Sequence, residues 1–328
     1  MQTRKIKSTG WTVSAVGLGC MGLSHAFGTP LEKTEAADKV RAAYEMGYTF
    51  FDTAECYTGT NPDGTTAYNE EAVGEGIRSF RDKIILATKC GVIHSYSGLT
   101  MDSRPETIRK SIEGSLRRLQ TDYVDLYYQH RIDPKVEPEA VAETMGELIR
   151  EGKIRAWGIS AVNEEYLRRA HAVTPVTAVQ NMYNMIDRDT EKLFPVFEEL
   201  GITLVAYTPL AKGFLSGSYA ERPTFDHPED NRGGRFQFSE EGFAYYQQAL
   251  DLIRTTAESR NATMAQIALA WMMNRRPWIV PIPGTRNPER MKENANASDI
   301  VLSADEVQAL DTALDRLGLV DTSAKRIS

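Results

Sequence analysis

Four side chains of this 328-residue sequence could together move a proton onto a carbonyl oxygen: Asp52, Tyr57, Lys89 and His130. A tyrosine hydroxyl has an ordinary pKa near 10, too high for free exchange near neutrality, and a neighbouring ammonium lowers it by favouring the phenolate. Lys89 can supply that charge. Asp52 can hold Lys89 in place and partly neutralise it, while His130 can hydrogen-bond a carbonyl oxygen, orient the substrate or relay a proton. Such a set protonates an alkoxide as it forms. It comes with no nucleophile and dedicated base, no metal cluster and no paired carboxylates, so the other reactant must come from a cofactor. Taken singly, each residue has a plainer reading: a loop cap for Asp52, a solvated charge for Lys89, a satisfied core residue for His130 and a loop aromatic for Tyr57.

Placement at strand ends favours the joint reading. Short β-branched or aromatic runs alternate with longer segments in which apolar residues recur every three to four positions. The runs are Val13 to Leu18, Tyr48 to Phe51, Ile84 to Thr88, Val124 to Gln129, Ile154 to Ile159, Val176 to Gln180, Thr203 to Tyr207 and Ile279 to Ile282. Asp52, Lys89 and His130 each follow one of them directly. Between the runs lie helices. From Ser103 to Gln120, Ser103 and Glu106 form a capping-box pattern ahead of an apolar stripe of Ile108, Ile112, Leu116 and Leu119. The next stripe, Val141, Met145, Leu148 and Ile149, ends on Gly152, suited to a left-handed C-terminal cap.

Eight such units predict an α/β fold of the (β/α)8 TIM-barrel type, with parallel strands whose C-terminal ends share one mouth. The eighth strand must be short or irregular, because Pro281 and Pro283 each lack a backbone donor. Lys5 to Lys7 and Thr12 to Ala15 flank Ser8-Thr9-Gly10, which reads as an N-terminal hairpin capping the barrel's bottom, and a C-terminal helix follows the last unit. With no Pro/Ser/Gly linker and no low-complexity tract, residues 1–328 read as a single domain.

Gly17-Leu18-Gly19-Cys20-Met21-Gly22 satisfies the G-x-G-x-x-G spacing of a Rossmann dinucleotide site, but the context is wrong. That motif needs its last glycine in a helix facing the pyrophosphate, and here Gly28 and Pro30 intervene before helical periodicity begins near Thr34. A strand-to-loop exit with close backbone approach is the better reading.

Composition narrows the partners. Lys and Arg number 38 against 45 Asp and Glu, for a net charge of −7, and no basic block is interleaved with aromatics, so nucleic acid is not an expected partner. No window approaches a membrane span and MQTRKIKSTGW lacks a signal peptide's apolar stretch, so a cytoplasmic protein without membrane association is expected. Cys20, Cys56 and Cys90 are widely spaced, which indicates reduced thiols and no zinc site.

Over essentially its whole length the sequence resembles the aldo-keto reductase family, and most of all its bacterial and plant branches. The matching stretches are GLGCMG from Gly17, GYTFFDTAECY from Gly47, NEEAVGEGI from Asn69, ILATKCG from Ile85, DYVDLYYQHRIDP from Asp122, IRAWGIS from Ile154, VQNMYN from Val179, LVAYTPLAKGFLSG from Leu204 and PIPGTRNPERMKENANA from Pro281. The resemblance implies a catalytic tetrad of Asp52, Tyr57, Lys89 and His130, and NADP(H) extended across the barrel mouth. It implies that Cys20, Met21 and Asp52 lie near the cofactor, that Ser160 and Gln180 hydrogen-bond the nicotinamide amide, and that Tyr207 stacks on its ring. Thr208, Leu210, Lys212 and Gly213 would follow the pyrophosphate. Gly284, Arg286 and Arg290 would surround the adenosine phosphate and ribose, and Glu293 and Asn294 would meet adenine. Two arginines suit a 2′-phosphate, so NADPH is expected over NADH; the plainer reading of Arg290 is a solvated helix charge.

Two segments depart from the family pattern. The loop from Tyr57 to Asn69 is longer than usual, and the stretch from Ser218 to Phe238 resembles a cofactor-covering loop only loosely, leaving Arg232 as either a pyrophosphate contact or a surface residue. Phe27, Cys56, Ile93 and the long loop would shape the substrate pocket, with Tyr96 and Phe225 as further aromatic candidates whose plainer reading is packing. The implied activity is NADPH-dependent reduction of an aldehyde or ketone, hydride leaving nicotinamide C4 while Tyr57 protonates the oxygen. A rival is a redox-sensing regulatory subunit that keeps fold and cofactor with little turnover; another is a barrel aldolase or isomerase using Lys89 as a Schiff-base amine.

Overall fold

Side chains alternate inward and outward along each barrel strand, and the inward set forms a small apolar core of its own. It contains Phe50, Ala87, Leu126, Tyr128, Ala156, Ala178, Val205, Val280 and Ile282. All but Ile282, which lies just past the last strand, belong to seven of eight parallel strands arranged in chain order: Leu18–Gly19, Phe50–Asp52, Ile85–Cys90, Val124–Gln129, Ile154–Ser160, Ala178–Met182, Thr203–Tyr207 and Ile279–Pro281. The computed structural model describes residues 1–95 and 98–318, so Tyr96 and the last ten residues lie outside the description. Helices follow the strands, from Lys33–Glu45 after the first to Pro288–Asn296 after the eighth, and their apolar faces pack on the outside of the sheet in a second, larger core. This is the expected (β/α)8 barrel.

The barrel closes where the first and eighth strands meet. The Gly17 amide donates to the Pro281 carbonyl at 2.9 Å and the Gly19 amide to the Pro283 carbonyl at 3.2 Å. The prolines have no N–H to give, so the glycines supply the donors at this seam. Space demands glycine as well: a Cβ on Gly19 would lie 2.7 Å from the Ile282 carbonyl oxygen, and one on Gly284 2.6 Å from that of Gly19. The motif Gly17 to Gly22 therefore works in barrel closure. Only a single 3-10 turn, Met21–Leu23, follows it before the helix at Lys33.

Several boundaries differ from expectation. Val13 to Leu18 is not one strand: Trp11–Ser14 pairs antiparallel with Thr3–Ile6 as the N-terminal hairpin, and only Leu18–Gly19 joins the barrel. The hairpin plugs the end where strands begin. Ile6 and Val13 enter the inner core, and the Arg4 guanidinium caps the end of helix Met264–Arg275 through the carbonyls of Met273 and Arg276. The proposed capping box also fails. Helix Pro105–Leu119 starts one residue later than that box requires, because Pro105 sits in its first turn and sets its beginning. Ser103 instead accepts a hydrogen bond from Gln129 Nε2 at 3.0 Å and donates its amide to Asp133. Gly152, at φ 75°, does end helix Pro138–Arg150 as expected. The long loop after Tyr57 folds as a hairpin, Thr58–Thr60 against Thr66–Tyr68. The C-terminal helix is Ala304–Arg316, and no helix among the described residues is long and apolar enough to cross a membrane.

Candidate active site

Two residues beyond the inner core, the same inward parity changes from apolar to polar. Phe50 leads to Asp52, Ala87 to Lys89, Tyr128 to His130, Ala178 to Gln180 and Val205 to Tyr207; Ala156 reaches Ser160 by way of Gly158. His130 lies just past its strand, but its amide donates to the Cys90 carbonyl at 2.9 Å and so continues the ladder. Strand geometry alone thus sets six separate stretches of sequence around one mouth.

Lys89 is the hub. Its ammonium is fully buried and donates to Asp52 Oδ1 at 2.5 Å, to the Thr53 carbonyl at 2.8 Å and to the Tyr57 hydroxyl oxygen at 3.0 Å. Three N–H groups meet three acceptors, which is what a buried ammonium requires. Burial works against the charge, but Asp52 and then Tyr57 hold Lys89 above the ordinary lysine value. The other oxygen of Asp52 accepts from Gln180 Nε2 at 2.7 Å.

Tyr57 stands on the loop after the second strand, and a buried amide fixes that loop. Asn69 accepts from Thr53 Oγ1 at 2.6 Å and donates to the Cys20 carbonyl at 2.9 Å and to Ser24 Oγ at 2.8 Å, while its own amide meets the Tyr57 carbonyl at 3.0 Å. The Tyr57 ring stacks on His25 at 5.8 Å between centroids and meets His130 edge-on at 5.6 Å. The expected lowering of the Tyr57 pKa is not found. Burial pushes the hydroxyl up to about 12, and the opposing pull of Lys89, itself countered by Asp52, does not make up the difference. Excluding water from a phenolate costs more here than one ammonium returns. What Lys89 does set is direction: since it donates to the Tyr57 oxygen, the phenolic hydrogen must point elsewhere.

His130 Nδ1 lies 3.3 Å from Cys56 Sγ. Arg131, which sequence reasoning passed over although it adjoins His130, turns its guanidinium along the mouth. It donates to the His130 carbonyl at 2.6 Å and to Ser160 Oγ at 3.0 Å, and lies 5.8 Å from the centre of the Tyr207 ring. Ser160 and Gln180, expected to meet a nicotinamide amide, are therefore already oriented by Arg131 and Asp52.

The remaining residues expected along a dinucleotide fall into two groups. After Tyr207 the backbone winds through positive φ at Thr208, Ala211, Lys212 and Gly213, and Leu210 accepts from the Gly213 amide at 2.9 Å. Thr208 Oγ1 is buried with no hydrogen-bond partner among the described residues. Lys212 Nζ donates to Asn231 at 2.5 Å. Across the mouth, Arg286 Nε donates to the Gly22 carbonyl at 2.5 Å and Nη1 to that of Thr29 at 2.8 Å, while Nη2 is buried and unpartnered among the described residues. A buried guanidinium nitrogen without a partner among the described residues, at Arg286, fits a phosphate-bearing group, and so does the turn from Thr208 to Gly213 with its unpartnered hydroxyl. Arg290 donates to Ser218 Oγ at 3.3 Å, and Glu293 and the buried Asn294 follow it on helix Pro288–Asn296. Cys20 is fully buried, whereas Met21 packs against Ala54, Cys56, Tyr57 and Val92.

The segment from Ser218 to Phe238 crosses to the loop after the first strand. Phe27 bridges Asp230, and the Asn231 amide donates to the Ala26 carbonyl at 3.1 Å. Arg232 is paired with Asp230, donates to Tyr219 at 3.2 Å and lies over the rings of Phe27 and Phe225. Its guanidinium holds this crossing together, and Phe225 packs there beside Tyr219 and Phe238. Ile93 is about half exposed on the hairpin Val92–Ser95 with Gly98–Met101.

Known proteins share the sequence pattern and the fold of this chain. Residues 15–315 match the model of the aldo/keto reductase family. An aldo-keto reductase of Strobilurus tenacellus is 35% identical over 321 residues, covering 94% of this chain and 91% of that protein. The glycerol dehydrogenase of Gluconobacter oxydans superposes with a TM-score of 0.85 at 28% identity, over 99% of both chains. An aldo-keto reductase of Klebsiella pneumoniae, solved in complex with NADPH, superposes at 0.72 with 30% identity, over 100% of this chain and 99% of that one. The chain belongs to the aldo/keto reductase family and is an oxidoreductase of carbonyl compounds.

Proposed function

We propose that this aldo/keto reductase reduces an aldehyde or ketone to the alcohol with NADPH, and that Tyr57 is the general acid. The observation that carries the reading is the hydrogen bond from Lys89 to the Tyr57 oxygen, which leaves the phenolic hydrogen free to point away from Lys89. NADPH, when bound, supplies hydride to the carbonyl carbon. As negative charge grows on the carbonyl oxygen, the Tyr57 hydroxyl gives up its proton, and the ammonium of Lys89 stabilises the phenolate left behind. A hydroxyl at about 12 is protonated throughout the neutral range, and an alkoxide is still the stronger base. Asp52 keeps Lys89 charged and in place, and His130, edge-on to the Tyr57 ring, would donate to the carbonyl oxygen.

Ser160 and Gln180 would hold the nicotinamide amide, Tyr207 would lie against its ring, and the turn from Thr208 to Gly213 with Arg286 would take the phosphates. The test is NADPH oxidation over a panel of aliphatic, aromatic and sugar-derived carbonyls. Tyr57→Phe should remove most turnover and leave NADPH binding, read by fluorescence quenching, nearly intact. A fully active Tyr57→Phe overturns the assignment, and slow turnover of the wild type on every substrate would favour a sensing role.

A further inference from the structure

The residue before the general acid is a cysteine whose side chain the reaction does not consume. Cys56 is nearly buried, its sulfur 3.3 Å from His130 Nδ1, and it packs with Ala54, Tyr57 and Val92 on the same wall of the mouth. Its surroundings make it a poor nucleophile: burial pushes the thiol up to about 12, so it carries its hydrogen at neutral pH. A neutral imidazole holds one proton on two nitrogens, and the nitrogen that carries it is set by the hydrogen bond the other makes.

We propose that Cys56 is a positioning residue that donates S–H to His130 Nδ1 and thereby fixes the histidine as the tautomer protonated on Nε2. The proposal rests on the reading of His130 as the donor to the substrate oxygen. With Nδ1 accepting from the thiol, Nε2 bears the hydrogen and the ring presents a donor, not a lone pair, to a carbonyl. The opposite tautomer would set a lone pair against the carbonyl oxygen and repel it. The edge-on packing of His130 on Tyr57, 81° between planes, limits the ring's rotation, so the thiol has to select the tautomer and not the orientation alone.

The experiment uses full-length protein labelled with 15N at histidine, with and without NADP⁺. Long-range proton–nitrogen correlation spectra read both ring nitrogens of His130, assigned by its loss in His130→Gln. Wild type is expected to show an unprotonated Nδ1 and a protonated Nε2. Cys56→Ala should shift part of the population to the other tautomer and lower kcat by roughly three- to tenfold, the worth of one neutral hydrogen bond, with KM for NADPH unchanged. Cys56→Ser, which keeps a donor, should restore the wild-type tautomer and most of kcat. In the His130→Gln background, Cys56→Ala should have no further effect on kcat. A protonated Nδ1 in wild type overturns the proposal, as does an unaltered tautomer in Cys56→Ala, or equal losses in both backgrounds. Full activity of His130→Gln would instead overturn the role given to the histidine, and the tautomer measurement is independent of it.

Discussion

Replacing Lys89 by methionine tests the centre of the site through stability as well as turnover. The substitution keeps a straight side chain of similar length but removes a fully buried ammonium with three hydrogen bonds. The Asp52 carboxylate, whose side chain is 3% exposed, is left with Gln180 as its remaining partner among the described hydrogen bonds. Breaking a buried pair by removing one member costs about 3–5 kcal/mol. At about 2–4 °C per kcal/mol for a chain of this order of size, the melting temperature should fall by roughly 10 °C. Adding Asp52→Asn removes the stranded charge, so the double variant should recover most of that loss and lie within about 2 kcal/mol of wild type. Turnover should be lost in both. The deficit of the single variant should also depend on pH. Burial raises the Asp52 carboxyl, and without Lys89 nothing of comparable strength opposes it. A folded-state pKa above the unfolded value near 3.9 favours the protonated form on folding, so stability is regained as pH falls through the raised pKa and is lowest above it. Urea unfolding followed by circular dichroism at pH 5 and pH 8 measures all three proteins. If Lys89→Met unfolds like wild type, or if Asp52→Asn adds a further loss instead of cancelling the first, the buried pair is not what the stability depends on and the reasoning fails.

Removing Arg290 should separate the two cofactors: Arg290→Ala is expected to weaken NADPH roughly tenfold or more, the worth of a charge-assisted hydrogen bond, and NADH little; equal losses in titrations with both would place Arg290 on the solvated face of its helix. Arg286→Ala should weaken both, because Arg286 also ties Gly22 and Thr29. At the barrel seam, Gly19→Ala should cost about 1–3 kcal/mol by overpacking against the Ile282 carbonyl, whereas Gly234→Ala, with open space around its Cβ, should be near neutral; matched melting curves would contradict the close approach.

Much of the site was legible because its residues sit at strand ends, and strands announce themselves by composition. Asp52, Lys89 and His130 each close a β-rich run, and parallel strands bring such ends to one mouth. Arg131 was missed for the complementary reason. In sequence it is one more charge beside a histidine, and only its side chain's course to Ser160 and Tyr207 shows that it lies along the mouth. Asn69 was quoted within a matching stretch without a role, because a fully satisfied amide has no signature apart from its partners. The capping box at Ser103 misled because local spacing competed with a proline two residues on and with Gln129 from a barrel strand.

By itself the sequence determined the repeating βα pattern, seven of the eight barrel runs, the short proline-containing last strand and the four residues able to protonate an alkoxide. Each follows from local chemistry: periodicity, propensity and side-chain type act over a few neighbouring residues. The tertiary structure decided which glycines close the barrel, that Lys89 gives one hydrogen each to Asp52, Thr53 and Tyr57, and that burial outweighs the ammonium in setting the Tyr57 pKa. These depend on distances between segments tens of residues apart and on the exclusion of water. Neither quantity exists until the chain has folded.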